Sequence, residues 1–162
     1  MNIEEQLKEI IERAQISNLL VQYFAAIDDK QLNKKIVEAT FTEDAKIVKP
    51  NGAISIGHEN ILEGQIISFT RFQATQHTTS DFIISLSGDK ATIRTNLTAM
   101  HIWADLAEDP SLKGKHFHAG GILLTKAIKM DNRWYINEWI FRNVWRTGEG
   151  MNEMAKFARP KE

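Results

Sequence analysis

The sequence predicts an α+β fold: a cone-shaped, curved antiparallel sheet wrapped around N-terminal helices, with an internal pocket. Two observations favour this class. Helical hydrophobic periodicity is gathered before residue 72, and strand-like alternation fills most of the chain after it. Helices and strands that are segregated in this way are typical of α+β domains. We expect a single domain over residues 1–150 and a C-terminal tail over residues 151–162, either a weak short helix or a disordered segment.

The first helix is predicted over residues 3–29. Apolar side chains recur at intervals of three and four positions, and charged side chains occupy the opposite face of its first half. From Leu19 onward the helix is almost entirely apolar, which predicts burial on most sides. Tyr23 and Asp28 lie near its C-terminal end.

Shorter elements follow the first helix. Asp29 is predicted to cap a second helix, because a carboxylate accepts hydrogen bonds from the free amides at a helix start. Gly57 leads into a third helix. In order, the expected elements are a helix at 30–40, a break at 42–44, strands at 46–48 and 53–56 around a turn at 50–52, and a helix at 58–71.

Residues 76–105 are predicted to form the central hairpin of the sheet. Apolar and polar side chains alternate on both sides of a turn at residues 87–90, where Gly-Asp is favourable turn chemistry. His77 and His101 lie near its two outer ends, so these imidazoles can share one pocket. Counting by twos from the apolar positions puts His77 on the opposite face, unless a bulge near residues 79–80 re-aims it or the strand begins after it.

Two long strands close the chain, residues 116–130 and 133–145, after a polar loop at residues 106–115. Both faces of the final strand are apolar, so both must be covered. Helices can cover one face and a partner subunit the other. We therefore expect a homo-oligomer, a trimer or a dimer, formed through the outer face around Trp139 and Trp145. Alternation by twos places Trp134, Ile136 and Ile140 on one face and Tyr135, Trp139, Phe141 and Trp145 on the other.

The charge balance excludes several partners. With 20 basic and 21 acidic residues, the chain has no field that would attract nucleic acid or an anionic membrane. It contains no cysteine, its first ten residues are too charged for a signal peptide, and no apolar run approaches the length of a membrane span. We expect a cytoplasmic protein that binds neither nucleic acid nor membrane.

The sequence favours no metal and no cofactor. His116 and His118 put two imidazoles on one strand face, but no third ligand of suitable spacing accompanies them. No phosphate-binding loop, dinucleotide-binding loop or nucleophile elbow is present either. We therefore expect any catalysis to use acid and base side chains.

Five segments carry a resemblance to a known family: QYFAAIDDKQ, FTEDAKI, IGHENI, QHTTSDFIISLSGDKA and NRWYINEWIFRNVW. Together they resemble the SnoaL-like branch of the nuclear transport factor two-like superfamily, over residues 10–148. The resemblance implies the cone-shaped α+β fold. It also implies chemistry similar to that of scytalone dehydratase, bile-acid dehydratase and hexachlorocyclohexane dehydrochlorinase, which eliminate water or HCl.

The resemblance also implies which residues act. Asp28 matches the Asp at the end of the first helix in those enzymes, and His77 matches the His that opens their central hairpin. Tyr23 resembles an arrangement in bile-acid dehydratase, and Arg142 lies near an Arg of that enzyme. His101 falls where scytalone dehydratase has a second His.

The pattern departs from scytalone dehydratase in two places. Ile47 lies near the expected position of its second tyrosine, and its late active-site asparagine has no confident counterpart. The substrate therefore does not carry over from the resemblance.

The leading hypothesis is a cofactor-independent acid/base lyase or isomerase, dehydratase-like with an Asp-His dyad, that acts on a small hydrophobic or cyclic carbonyl compound. His77 is the expected general base, and Asp28 fixes its tautomer. Tyr23 is expected to donate to the enolate oxygen, His101 to protonate or orient the leaving hydroxyl, and Trp103 to shape the pocket.

Three alternatives stay open. The same cone can be a non-catalytic module that binds a small ligand or a protein, with structural histidines. It can be a polyketide-cyclase-like enzyme that uses the same parts, or the small subunit of a ring-hydroxylating oxygenase. Arg142, on a buried strand, needs a partner, which is either an acidic ligand or Glu138. Contact between Asp28 and His77 inside one pocket would favour an enzyme over a binding module.

Overall fold

One long helix and a six-stranded sheet dominate the fold. The computed structural model describes residues 2–50, 52–106 and 108–156. Within these ranges the helices are α1 (Ile3–Asp28), α2 (Lys34–Thr40), α3 (His58–Phe69) and α4 (Met151–Lys156), with a 3₁₀ turn at Pro110–Leu112. The strands are β1 (Phe41–Val48), β2 (Ile54–Ile56), β3 (Phe72–Ser87), β4 (Lys90–Trp103), β5 (His116–Met130) and β6 (Arg133–Gly148).

The strands form one curved, unclosed sheet in the order β2-β1-β6-β5-β4-β3. This arrangement confirms the predicted α+β class. One pair departs from the predicted antiparallel arrangement: β1 and β6 run parallel, while the other paired strands are antiparallel. A parallel pair needs a long crossover rather than a tight turn, and here the chain forms four other strands of the sheet, β2 to β5, between β1 and β6.

The predicted start of the second helix is also corrected. Asp29 does not cap it but is the C-terminal cap of α1, and Lys30 adopts a left-handed backbone conformation that turns the chain away. The helix restarts three residues later, where the Asn33 side chain accepts a hydrogen bond from the Ile36 amide. Asparagine is as good a helix cap as aspartate, so either residue could have served on chemistry alone.

A bulge in β3 decides where His77 points. Ser80 pairs with Asn96 and Ile83 with Arg94, so two residues of β3 oppose one of β4. Asp81, inside the bulge, has a φ of 55°. Such a bulge moves every residue before it onto the other face, which turns His77 inward although counting by twos places it outside.

Two bulges in β6 likewise change which face of the sheet the residues of that strand occupy. Lys126 pairs with Glu138 and Ala127 with Ile136, so the strand changes face at Asn137. Trp139 therefore lies inside with Trp134 and Ile136, and the expectation that Trp139 covers the outer face is wrong. A second shift occurs beside Gly120 and Gly121. Between the two bulges Phe141 lies inside and Ile140 and Arg142 lie outside, and after the second bulge Trp145 also lies outside.

The core lies between the concave face of the sheet and the second half of α1. Ile16, Leu20, Tyr23, Phe24 and Ile27 are buried there. The predicted burial of this half on most sides is wrong, because Val21, Gln22 and Ala25 are exposed on the face that points away from the sheet. No helix in the described ranges has the length and apolar character of a membrane span.

Candidate active site

A cavity of about 470 Å³ lies between the concave face of the sheet and helices α1, α3 and α4. Its wall is mostly apolar and includes Phe24, Phe69, Leu97, Trp139 and Phe141. Ligand cavities of this size and lining typically hold a small molecule and fix it with a few polar groups. The polar groups on this wall include His77 and His101.

Asp28 and His77 form a close pair at the cavity. The last residue of α1 is Asp28, and its Oδ1 lies 2.6 Å from the Nδ1 atom of His77. The side chain of His77 is 5% exposed and that of Asp28 is 19% exposed. Because the carboxylate accepts at Nδ1, the Nε2 atom of the imidazole is left for another partner.

Three donors hold the Asp28 carboxylate. Besides the His77 ring, the His77 backbone amide donates to Oδ2 at 2.7 Å, and the Thr75 hydroxyl donates to Oδ1 at 2.9 Å. Burial raises the pKa of Asp28, but the hydrogen bonds and charge of His77 and the Thr75 hydroxyl outweigh it and hold the pKa below its ordinary value. Asp28 is therefore ionised at neutral pH.

Aromatic rings fix the plane of the His77 imidazole. Phe24 stacks on it with ring centroids 5.0 Å apart, and the Phe69 ring meets it edge-on at 5.5 Å. His77 also contacts the His101 ring edge-on at 5.8 Å. The two histidines share one pocket because their strands pair in this region, with Thr75 opposite His101 and His77 opposite Ala99.

His101 is buried and neutral at physiological pH. It is 6% exposed, and its Nδ1 atom donates to the Phe117 carbonyl at 3.1 Å. The pKa of His101 is lowered to about 4, chiefly by burial and then by the charges of His77 and Arg71, while the Phe117 carbonyl and the Asp28 charge oppose part of this shift. With the proton on Nδ1, Nε2 is an acceptor. Neutral His101 can therefore accept a hydrogen bond through Nε2 but cannot donate one there.

The structure does not bring three of the predicted site residues to the cavity wall. Tyr23 is fully buried behind it, packed edge-on against Phe41 and Trp139. Burial raises the pKa of Tyr23, and the side chain of Gln65, which does line the cavity, only partly offsets this. The Tyr23 ring is therefore part of the core, one layer from the ligand space.

Trp103 and Arg142 lie elsewhere. Trp103 is fully buried in a second apolar cluster with Phe72, and its indole nitrogen donates to the Glu149 carbonyl at 2.9 Å. Arg142 lies on the outer face, because the bulge in β6 at Asn137 reverses the alternation before it. An Arg142 side chain on that face cannot bind an acidic ligand inside the cavity.

Several cavity residues had no role in the sequence-based hypothesis. Two amides, Gln65 and Asn143, and three cations, Lys49, Arg71 and Arg146, line the wall. Their positions depend on the β6 bulges and on the packing of α3, and no local pattern in the sequence indicates either. In the described ranges, His, Asp and Glu side chains form no group of three or more that could hold a metal ion.

Sequence comparison shows one family match. The SnoaL-like domain matches residues 8–140, most of the chain. No curated protein has a significantly similar sequence.

Solved structures share the fold over nearly the whole chain. A candidate scytalone dehydratase from Novosphingobium aromaticivorans has 19% identity, covers 88% of this chain and 91% of its own, and has a TM-score of 0.74. The hexachlorocyclohexane dehydrochlorinase LinA-type3 from Novosphingobium barchaimii has 14% identity, coverages of 90% and 95%, and a TM-score of 0.76. A candidate aromatic ring hydroxylase from Novosphingobium aromaticivorans has 20% identity, coverages of 93% and 98%, and a TM-score of 0.75.

At these identities the similarity to solved structures establishes the fold alone. The family assignment comes from the sequence match, which spans the end of α1, the central hairpin and the first half of β6. The chain belongs to the SnoaL-like domain family.

Proposed function

We propose that the protein is an acid/base lyase or isomerase that acts on a small hydrophobic or cyclic carbonyl compound. The observation that carries the proposal is the 2.6 Å contact between Asp28 and the His77 ring at the cavity. A partly buried carboxylate that holds one imidazole nitrogen and leaves the other beside a ligand cavity is an arrangement suited to a general base.

The first step is removal of a proton from the carbon next to the carbonyl group. The Nε2 atom of His77 takes the proton, and the electron pair of the broken C–H bond forms an enolate. Asp28 holds the Nδ1 proton and stabilises the imidazolium that results. The amides of Gln65 and Asn143, both on the cavity wall, are the donors available to the enolate oxygen.

The second step returns the same proton. If the substrate carries a hydroxyl on the next carbon, His77 protonates it, the C–O bond breaks and water leaves with a new C=C bond. If it carries none, His77 protonates a different carbon and the product is an isomer. His101 orients the hydroxyl by accepting its hydrogen bond at Nε2. The low pKa of His101 and the donation of its Nδ1 proton to the Phe117 carbonyl support this role, and they argue against His101 as the proton donor. Each step is acid/base chemistry without net oxidation or reduction, so the proposal assigns no cofactor.

The comparisons favour elimination within this class. Two of the similar structures are named as a dehydratase and a dehydrochlorinase, and both names describe eliminations. An intramolecular attack by the enolate would instead make a cyclase with the same base.

The proposal is tested by proton exchange, which needs no knowledge of the natural substrate. A panel of cyclic ketones and cyclic keto acids in D₂O is incubated with the protein, and loss of the proton next to the carbonyl is followed by NMR. We expect accelerated exchange for some of the panel, and His77→Gln should lower it by roughly 10²–10⁴-fold, the usual contribution of a positioned general base.

His116→Gln is the matched control, because His116 is exposed at the start of β5 and is not on the cavity wall. Its exchange rate should equal that of the wild type. If panel members bind but none exchanges faster than in buffer, the protein is a non-catalytic binding module and the proposal fails.

We also propose a homo-oligomer, a trimer or a dimer, formed through the outer face of β5 and β6. Exposed apolar side chains support this interface: Leu124, Ile140, Val144 and Trp145, which is 43% exposed. Light scattering should give a mass of two or three chains, and Leu124→Glu should shift it towards one. Val21→Glu, at an exposed apolar position of α1, is the control. A stable wild-type monomer at micromolar concentration would contradict the interface.

A further inference from the structure

Three cationic side chains lie on the wall of the cavity that holds His77. Lys49, Arg71 and Arg146 line it, and among the described residues none of its lining side chains is acidic. Three separate parts of the chain supply these cations: the segment after β1, the link between α3 and β3, and the end of β6. A charge removed from water is costly unless it is paired, so a half-buried cation that lacks a carboxylate partner on this mostly apolar wall favours an anionic ligand.

Lys49 is half-buried beside another cation. Burial lowers the pKa of Lys49, and the charge of Arg71 lowers it further. Within the described ranges, no carboxylate forms an ion pair with the Lys49 ammonium. A bound anion would stabilise this ammonium and reduce its repulsion by Arg71.

Arg71 is held in place at the cavity wall by its own contacts. It is 7% exposed, and its Nη1 atom donates to the Glu153 carbonyl at 3.0 Å. The guanidinium carbon lies 5.6 Å from the centre of the Phe72 ring and 5.7 Å from that of Trp103. Burial, partly opposed by the charge of Glu153, lowers the pKa of Arg71 to about 10. These contacts hold the charge close to the cavity in one orientation.

Arg146 reaches the cavity because of the second bulge in β6. Gly121 pairs with Asn143 and Gly120 with Trp145, so Val144 is the extra residue and the strand changes face again. Arg146 then pairs with Ala119, another cavity residue. Without this bulge the Arg146 side chain would share the outer face with Arg142.

We propose that the cavity takes an apolar substrate that carries a carboxylate, with the carboxylate held by Lys49 and Arg146 beside Arg71 and the reactive carbon at His77. The placement of the reactive carbon rests on the proposed function, whereas the binding of the anion does not. An arginine fork matches a carboxylate through two parallel hydrogen bonds, and a lysine adds a point charge. A single negative charge also costs less to transfer into this mostly apolar cavity than the double charge of a phosphate.

Binding measurements with matched probes test this inference. Calorimetry at low ionic strength would compare 2-naphthoate with its neutral isostere, 2-naphthamide. We expect the acid to bind at least about tenfold more tightly, because a charge-assisted hydrogen bond contributes on that scale. Lys49→Met and Arg146→Met should each weaken 2-naphthoate binding by about tenfold and leave 2-naphthamide binding unchanged. Lys8→Met, at an exposed position of α1, is the control and should change neither.

Two outcomes would overturn the inference. Equal affinities for the acid and the amide would show that the cations do not select an anion. Tighter binding of 2-naphthyl phosphate than of 2-naphthoate would reject the carboxylate in favour of a phosphate group. Because the readout is binding, either result counts against the substrate class alone, whereas failed proton exchange counts against the proposed function.

Discussion

At the scale of single residues, Asp28 is held where a carboxylate is otherwise unfavourable. It ends α1, and the C-terminal end of a helix carries partial negative charge that repels an anion. The His77 ring, the His77 backbone amide and the Thr75 hydroxyl compensate by donating to its two oxygens. The sequence predicts that Asp28 and His77 belong to one site. It does not predict the Thr75 and backbone contacts, since these depend on how β3 passes the end of the helix.

His101 makes the stability of the fold depend on pH. The pKa of His101 is 6.5 in an unfolded chain and about 4 in the buried site, so the unfolded state binds a proton more readily. Stability is therefore greatest above pH 6.5 and falls as the pH is lowered towards 4. Between pH 7 and pH 5 the free energy of unfolding should fall by roughly 2 kcal/mol through this residue alone.

Urea denaturation of the wild type and His101→Gln at both pH values isolates this effect. The variant cannot take up a proton at that position, so its free energy of unfolding should fall less between pH 7 and pH 5. Asp28 contributes nothing to the difference, because its lowered pKa keeps it ionised across this range. Equal pH dependence in the two proteins would show that His101 is not held neutral by burial.

At the scale of secondary-structure elements, bulges decide which side chains reach the cavity. The extra residues at Asp81, Asn137 and Val144 each reverse the alternation of a strand. The sequence indicates a bulge in β3 only because alternation from the apolar positions puts His77 on the outer face, whereas a shared pocket with His101 requires it on the inner face. In β6 both faces are apolar, so nothing in the pattern signals a reversal, and the predicted faces of Trp139 and Phe141 are wrong.

The C-terminal helix α4 completes the cavity wall with Met154 and Ala155. Gly150, just before it, has a φ of 81°, and a Cβ there would lie 2.4 Å from the Trp103 ring. Gly150→Ala should therefore displace α4 and lower the free energy of unfolding by about 2–4 kcal/mol, through backbone strain and overpacking. Amide hydrogen exchange in residues 151–156 should accelerate.

Gly114→Ala is the control for backbone strain alone. Gly114 has a similar φ of 74°, but a Cβ at this position would meet no neighbouring atom within 4 Å. This variant should lose only about 1 kcal/mol, with normal exchange in residues 151–156. Equal losses in the two variants would mean that α4 does not depend on its contact with Trp103.

At the scale of the whole molecule, segregation of helices and strands along the chain is enough to predict the class, since each element has a clear hydrophobic period. The pairing of strands that are distant in the sequence cannot be predicted in this way. The parallel contact between β1 and β6 joins segments about 90 residues apart, and no local signal specifies it. The same holds for Lys49, Arg71 and Arg146, which approach one cavity only after the sheet has curved and α3 has packed against it.

The central claim is that Asp28 and His77 act as one catalytic unit, and a double-mutant cycle on proton exchange tests it most directly. The rates would be measured by NMR in D₂O for the wild type, Asp28→Asn, His77→Gln and the double variant, with the ketone that exchanges fastest. We predict that each single change lowers the rate by roughly 10²–10⁴-fold and that the double variant is little slower than the slower single one. The claim would be contradicted if the fold-loss in exchange rate of the double variant equalled the product of the two single fold-losses. An unchanged rate in His77→Gln would also contradict it.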